Sequence, residues 1–342
     1  MLTVFGPSGD TSHDGGRHPE RPARINAVMA GVGDLRDELG GDLTVVAAVP
    51  APVEALTRVH AASYVTQVRQ LCADGGGHVD PDTFVRPDSW DAALRSAGAG
   101  LQAVSALREQ GGGVAFVAAR PPGHHAEQAR GMGFCLFNNV AVAAAELADA
   151  GERVAIVDWD VHHGNGTQDI FWNDPRVLYV STHQWPLYPG TGAAREVGGS
   201  GAPGLTVNVP LPPGATGDVV RRALGDVAAP VVDAFAPTWV LISAGFDAHR
   251  ADPLAELALS SGDFADLARD VAAWAPPGGP VVAFLEGGYD LDALRSSVAS
   301  SLGALVGIGS DDGAAGEGPT SGGPGFDAVA NALRVRQRIL AT

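Results

Sequence analysis

Val154-Ala155-Ile156-Val157-Asp158-Trp159-Asp160-Val161-His162-His163-Gly164-Asn165-Gly166 joins a short apolar run to a row of acids and imidazoles. The first four residues read as a strand buried on both faces, as in a parallel sheet. With a side-chain period of two, continued extension sends Asp158, Asp160 and His162 to one side and His163 to the other. The same design recurs in Trp239-Val240-Leu241-Ile242, followed by Ser243-Ala244-Gly245-Phe246-Asp247, so Asp247 is expected at the same sheet edge. Asp160, His162 and Asp247 together make a candidate metal site, and His163 supports it from behind.

Outward from these two stretches, apolar runs alternate with Ala- and Leu-rich helical segments. The predicted strands are Leu2 to Phe5, Leu43 to Val49, Val114 to Ala118, Val154 to Val157, Val177 to Ser181, Leu205 to Val209, Trp239 to Ser243 and Val281 to Leu285. Helices are predicted over Trp90 to Leu107, Asn139 to Ala150, Asp218 to Ala234, Asp263 to Ala273 and, at the end, Asp327 to Ile339. Strands separated by such helices imply right-handed crossovers. The expected fold class is therefore α/β: a single domain over residues 1–342, with an eight-stranded, mostly parallel sheet and helices on both faces. In such sheets chemistry collects beyond the carboxyl ends of the strands. Four strand exits carry polar groups: Arg120-Pro121-Pro122-Gly123-His124-His125, Asp158 to His163, Asp247, and Glu286-Gly287-Gly288-Tyr289. Residues Gly309 to Gly325, rich in Gly, Ser, Asp and Pro, predict a mobile loop.

All 22 basic residues are arginine, against 39 acidic ones, for a net charge of −17. That balance disfavours nucleic acid and favours cationic partners such as lysine-rich tails or polyamines. Neither a leader pattern nor a membrane-spanning apolar stretch is evident, so a cytoplasmic protein without a membrane partner is expected. Cys72 and Cys135 form no CxxC pair and point to neither a disulfide framework nor a cysteine metal site. The triplets Gly75-Gly76-Gly77 and Gly111-Gly112-Gly113 lack the residues of a phosphate loop. His13, His18, His60, His78 and His183 lack comparable neighbours and read as surface or structural.

Three protein ligands leave a position open for water, the arrangement of a catalytic zinc. Amide hydrolysis also requires a proton acceptor for the water, a donor for the leaving amine and a group for the oxyanion. His124 and His125 suit the first two needs, and Tyr289 on its Gly-Gly turn suits the third.

These motifs, with His18-Pro19-Glu20-Arg21-Pro22, Gly133-Phe134-Cys135 and Tyr188-Pro189-Gly190-Thr191-Gly192, resemble the histone deacetylase family of the arginase/deacetylase fold, in particular its bacterial class II members. They span most of the chain in the family's order. The resemblance implies Asp160, His162 and Asp247 as Zn2+ ligands, with Fe2+ as the other candidate. It implies His125 as general base and then acid, His124 paired with Asp158 as electrostatic partner, and Tyr289 as oxyanion donor. Asn165 stands where class I relatives usually have an aspartate, and a neutral partner leaves His125 less basic. Phe134 and Tyr188 would wall a substrate tunnel, with Gly133, Gly287, Leu254 and Asp82 around it. A structural K+ or Na+ is implied near Asp158, the main chain at Asp160 and His162, Ser181 and Thr182, and a second near Phe171, Asp174 and Val177. The implied substrate is an acetylated protein or a small acetylated amine. Polyamine-selective relatives tend to carry a carboxylate at the tunnel mouth where this chain reads Asp252-Pro253-Leu254, so acetyl-lysine ranks above acetylpolyamine. An idle acetyl-amine binding module and a two-manganese ureohydrolase are the other readings; the intact histidine pair and Tyr289 oppose the first, and the shortage of bridging carboxylates and histidines opposes the second.

Overall fold

The computed structural model describes residues 1–6, 12–308 and 317–341. Ten strands occur among them: β1 (Leu2–Phe5), β2 (Leu43–Val46), β3 (Gly77–Asp80), β4 (Thr83–Val85), β5 (Gly113–Val117), β6 (Val154–Asp158), β7 (Val177–Gln184), β8 (Thr206–Leu211), β9 (Trp239–Ala244) and β10 (Pro280–Leu285). Eight form one sheet in the order β2-β1-β5-β10-β9-β6-β7-β8. Every neighbouring pair in it is parallel. All eight predicted strands are present, within a few residues at their ends. The antiparallel pair β3 and β4 was not predicted, because Gly77 to Val85 is short and mostly polar and carries no apolar period.

Alternate residues of the central strands enter opposite cores. Ala155 and Val157 of β6 and Val240 and Ile242 of β9 pack on one face, with Ile25, Phe264 and Leu294 from the helices Ala23–Asp34, Ser261–Ala272 and Leu291–Leu305. Val154, Ile156, Trp239 and Leu241 pack on the other, with Val65, Leu94 and Val140 from Ala62–Ala73, Ser89–Gln110 and Asn139–Asp149. Burial on both faces is why these strands are continuously apolar rather than alternating.

The predicted helix over Asp218 to Ala234 is interrupted: Gly217–Ala223 and Ala229–Phe235 flank a π-helical turn at Leu224–Ala228. Pro230 lacks the N–H that a regular turn needs and crowds the carbonyl four residues back, so the helix widens just ahead of it. The mobile loop expected over Gly309 to Gly325 is corrected in its second half. Thr320 donates to Asp263, Gly322 to Asp218 and Gly323 to Thr216, while Glu317 pairs with Arg250 at 2.7 Å. Residues 309–316 lie outside the described residues. No described helix is long and apolar enough to cross a membrane.

Candidate active site

Chain order disguises how the site assembles. The exits carrying the four polar motifs belong to β5, β10, β9 and β6, which are consecutive in the sheet. Their carboxyl ends therefore open side by side.

Strand β6 stops at Asp158, so the predicted extension does not continue. Two local turns replace it: Asp158 Oδ1 accepts from the N–H of Asp160 at 3.2 Å, and Asp160 Oδ1 accepts from that of His162 at 2.9 Å. Short acidic side chains favour such turns because they reach the backbone two residues on. From β9, Asp247 Oδ1 accepts the N–H of Val161 at 3.0 Å, and from β10 the N–H of Gly287 donates to Asp160 Oδ2 at 2.8 Å. Both oxygens of Asp160 thus accept backbone N–H groups, and Asp247 has one oxygen so committed. His162 Nδ1 lies 3.1 Å from Asp160 Oδ1 and 3.2 Å from Asp247 Oδ2. One ligand atom from each of Asp160, His162 and Asp247 falls within 4.8 Å of the others, a group that could hold a metal ion. Gly287 matters here because a Cβ on it would run into Asp247 Oδ2 and lie 2.7 Å from Asp160 Oδ2.

Beside this cluster the two adjacent histidines have opposite surroundings. His124 Nδ1 is 3.0 Å from Asp158 Oδ2, which also accepts from the Tyr179 hydroxyl at 3.1 Å. Burial opposes charge on His124, yet Asp160 and Asp158 outweigh it and hold its pKa well above the ordinary imidazole value. His125 Nδ1 faces Asn165 Oδ1 at 2.8 Å. The amide nitrogen of Asn165 donates to Glu127 Oε1 at 2.8 Å, so its oxygen is the atom turned to the ring, and His125 Nδ1 carries the proton. Burial, then the charge on His124, keeps the His125 pKa well below ordinary. His125 is therefore neutral with Nε2 free to accept. Both rings are fixed from behind: Glu286 Oε2 accepts from the N–H groups of Gly123 and His124 at 2.7 and 3.1 Å, and Asn138 Nδ2 donates to Ala126 O at 3.2 Å.

Tyr289 precedes Asp290, the N-cap whose carboxylate accepts from Ala293 N at 2.8 Å and starts the helix Leu291–Leu305. The Arg24 guanidinium lies 4.9 Å from the Tyr289 ring centroid, and Arg24 also binds the carbonyls of Gly288 and Glu286. Burial, against the pull of Arg24, pushes the Tyr289 phenol well above its usual range, so its O–H stays a donor. Asp252 Oδ2 accepts the N–H of Tyr289 at 2.7 Å, and burial followed by the charge of Asp247 lifts Asp252 to about 7.

Phe134 and Tyr188 each set a ring against a residue of this cluster. Their rings are 5.9 Å from Tyr289 and 5.2 Å from His125, respectively, each edge-on. Gly133, at φ +55, lies flat against the His125 ring, where a Cβ would collide. Thr83 joins the β3–β4 turn to this wall: its hydroxyl accepts from Phe134 N at 3.0 Å and donates to Asp82 Oδ1 at 3.0 Å. Leu254 is half-buried, with its N–H donating to Asp252 Oδ1 at 3.0 Å.

Of the residues assigned to monovalent cations, Ser181 is Asp158's register partner across β6 and β7, and Thr182 follows it, buried. The Ser181 hydroxyl lies 2.9 Å from His183 Nδ1. Phe171 O accepts from Asp174 N at 3.1 Å and Asp174 O from Val177 N at 3.3 Å, a pair of turns leading into β7.

Several residues at the site escaped sequence reasoning. Glu20 pairs with Arg24 and Arg120 in full burial, Glu286 supports the histidine pair, and Asp252 holds Tyr289. All three sit inside stretches quoted from the sequence, Asp252 in Asp252-Pro253-Leu254, which was the available signal. His18, read as surface or structural, stacks edge-on to Phe134 at 4.5 Å, whereas His13, His60 and His183 are buried.

A metal-capable acid–histidine cluster beside a charged and a neutral imidazole, on a doubly covered parallel sheet, defines a hydrolase site. A histone deacetylase domain model matches residues 18–305. A probable deacetylase of Archaeoglobus fulgidus is 40% identical over 298 residues, spanning 85% of this chain and 82% of that protein. A histone deacetylase-like amidohydrolase of Pseudomonas aeruginosa is 38% identical over 79% of this chain and 71% of its own length. A crystal structure of the HDA15 HD domain superposes with a TM-score of 0.86 at 32% identity, covering 99% of this chain and 97% of that one. The chain belongs to the histone deacetylase family. It is a deacetylase with the arginase/deacetylase fold, acting on an acetylated substrate.

Proposed function

We propose that this deacetylase is zinc-dependent and cleaves acetyl-lysine in proteins, releasing acetate and the free amine. The observation that carries the reading is the convergence of Asp160, His162 and Asp247 within 4.8 Å, beside imidazoles biased in opposite directions. Two carboxylates and one imidazole suit Zn2+, or Fe2+, and three protein ligands leave room for water. When bound, the ion supplies carbonyl polarisation and a water whose pKa is brought to roughly 7.

The remaining work falls to the chain. His125, neutral and with Nε2 left to accept, takes the water's proton and later delivers it to the leaving amine. Asn165 fixes the tautomer without adding charge. His124, held cationic by Asp160 and Asp158, places fixed positive charge where the carbonyl oxygen becomes negative, and the Tyr289 O–H donates to that oxygen. Phe134 and Tyr188 would line the passage for an aliphatic linker, and Asp82 on the β3–β4 turn would hold substrate backbone. A K+ or Na+ at Asp158, Ser181, Thr182 and the main chain of Asp160 and His162, and another at Phe171, Asp174 and Val177, would stabilise the strand exits.

Acetyl-lysine is favoured over acetylpolyamine because Leu254 is neutral and the Asp252 carboxylate is turned onto the N–H groups of Tyr289 and Asp290, at 2.7 and 3.4 Å. The test is kcat/KM for an acetyl-lysine peptide against acetylspermidine on metal-reconstituted protein. Preference for the peptide is expected; preference for acetylspermidine overturns the substrate assignment, and activity on neither overturns the acetyl-amine reading. Asp247→Ala leaves two ligands and is expected to lose the metal with the activity. Full metal content in that variant, read by elemental analysis, would move the third ligand elsewhere.

A further inference from the structure

The mechanism leaves unused a polar cluster on the far side of the metal-ligand segment. His163 follows His162 and turns the other way: its Nδ1 lies 2.8 Å from Thr191 Oγ1 and its Nε2 3.0 Å from Gln168 Oε1. Gln168 can only accept at that oxygen, so Nε2 donates and the Thr191 hydroxyl donates to Nδ1. Gln168 Nε2 passes the connection to Glu196 Oε2 at 2.8 Å, and Glu196 Oε2 accepts the N–H of Gly192 at 3.2 Å. His183 Nε2 donates to Gly192 O at 3.0 Å. Gly192, at φ +88, lies so close to both imidazoles that a Cβ would sit 2.6 Å from His163 Cγ. Thr191 and Gly192 end the rim segment that begins at Trp185 and carries Tyr188, whose ring faces His125 at 5.2 Å and His162 at 6.3 Å.

We infer that His163, through Thr191, is a positioning residue for substrate: it clamps the Tyr188 wall to the segment that bears His162, so the width of the linker passage is set from behind. The inference rests on the deacetylase site proposed above but concerns the wall rather than the chemistry. Thr191 is exposed, so replacing its hydroxyl leaves the core intact. The clamp acts on ligands that run along Tyr188 and not on those confined to the metal.

The experiment compares Thr191→Val, Thr191→Ser and the parent protein, all metal-loaded, in their dissociation constants for acetohydroxamic acid and for a hydroxamic acid with a long aliphatic tail. Thr191→Val is expected to weaken the long ligand about tenfold, the scale of one lost hydrogen bond, with acetohydroxamate within about twofold. KM for an acetyl-lysine peptide should rise in step while kcat stays within about threefold, and Thr191→Ser should restore both. Equal weakening of the two ligands, loss of metal, or no change in either overturns the clamp. If the parent protein cleaves no acetyl amine, the functional proposal fails, while the two dissociation constants still decide this one.

Discussion

At the residue scale, the adjacent imidazoles His124 and His125 show how partners divide roles. Asp160 and Asp158 outweigh burial and raise the pKa of His124, whereas burial and the charge on His124 lower that of His125, so the two values are pushed apart within one site. His125→Ala or Tyr289→Phe is expected to lower turnover by about two orders of magnitude or more, with metal content near normal. Normal turnover in either variant removes its assigned role. Asn165→Asp brings a negative charge to within hydrogen-bond reach of His125 Nδ1. The His125 pKa should rise, so the acidic limb of the kcat/KM profile should move to higher pH. An unmoved limb would mean that another group titrates there.

At the element scale, the helix Phe326–Leu340 buries Val329 and Ala332 in the core and is tied to the start of β8 by the buried Arg336. Arg336 donates to Thr206 O at 2.6 Å and to Gly204 O, and burial lowers its pKa to about 10, so it remains charged at neutrality. Arg336→Met keeps most of the aliphatic packing and leaves both carbonyls without that donor. It is expected to reduce unfolding free energy in urea by about 1–3 kcal/mol, with kcat/KM within about twofold of the parent. An unchanged urea midpoint would show that the helix is held by its apolar contacts alone. The loss should be confined to stability because this helix packs against β8, and β8 is two strands away from β6.

At the scale of the whole molecule, neutral histidines in the interior make stability depend on pH. His60 donates from Nδ1 to Glu127 O at 2.9 Å and accepts at Nε2 from Asn138 N at 2.9 Å, an arrangement only the neutral ring permits. Burial lowers the pKa of His60 and His13 to about 4 and of His183 to about 3. Unfolded imidazoles bind protons near pH 6.5, so between there and pH 4 the unfolded chain holds more protons and stability falls as pH falls. For His60 the gap corresponds to about 3 kcal/mol, fully present above pH 6.5 and lost progressively toward pH 4. Denaturant midpoints at pH 7.5 and 5.0 measure it, and His60→Gln should reduce the difference. Equal differences in the two proteins would exclude His60 as a source.

The eight strands and most helices were legible because each is a local pattern: four to six apolar residues, or a run of helix formers between turn signals. The candidate ligands were legible too, since Asp160, His162 and Asp247 lie just beyond apolar strands. Their meeting was legible only as an inference, because the order β5-β10-β9-β6 is a property of crossovers and not of any segment. Local reading expected continued pleating to aim Asp160 and His162, whereas β6 ends at Asp158 and side-chain turns aim them. Glu286, Asp252 and Glu20 stayed hidden because what a buried carboxylate does depends on which distant N–H or guanidinium meets it. The fastening of residues 317–325 by Asp263, Asp218 and Thr216 was hidden for the same reason. By itself the sequence determined the elements, the candidate donors and the family, all written in contiguous residues. Tertiary structure alone decided which carboxylates gather around His162, which accept backbone N–H groups and which pair with guanidinium groups, because burial and hydrogen-bond geometry are set by neighbours far away in the chain.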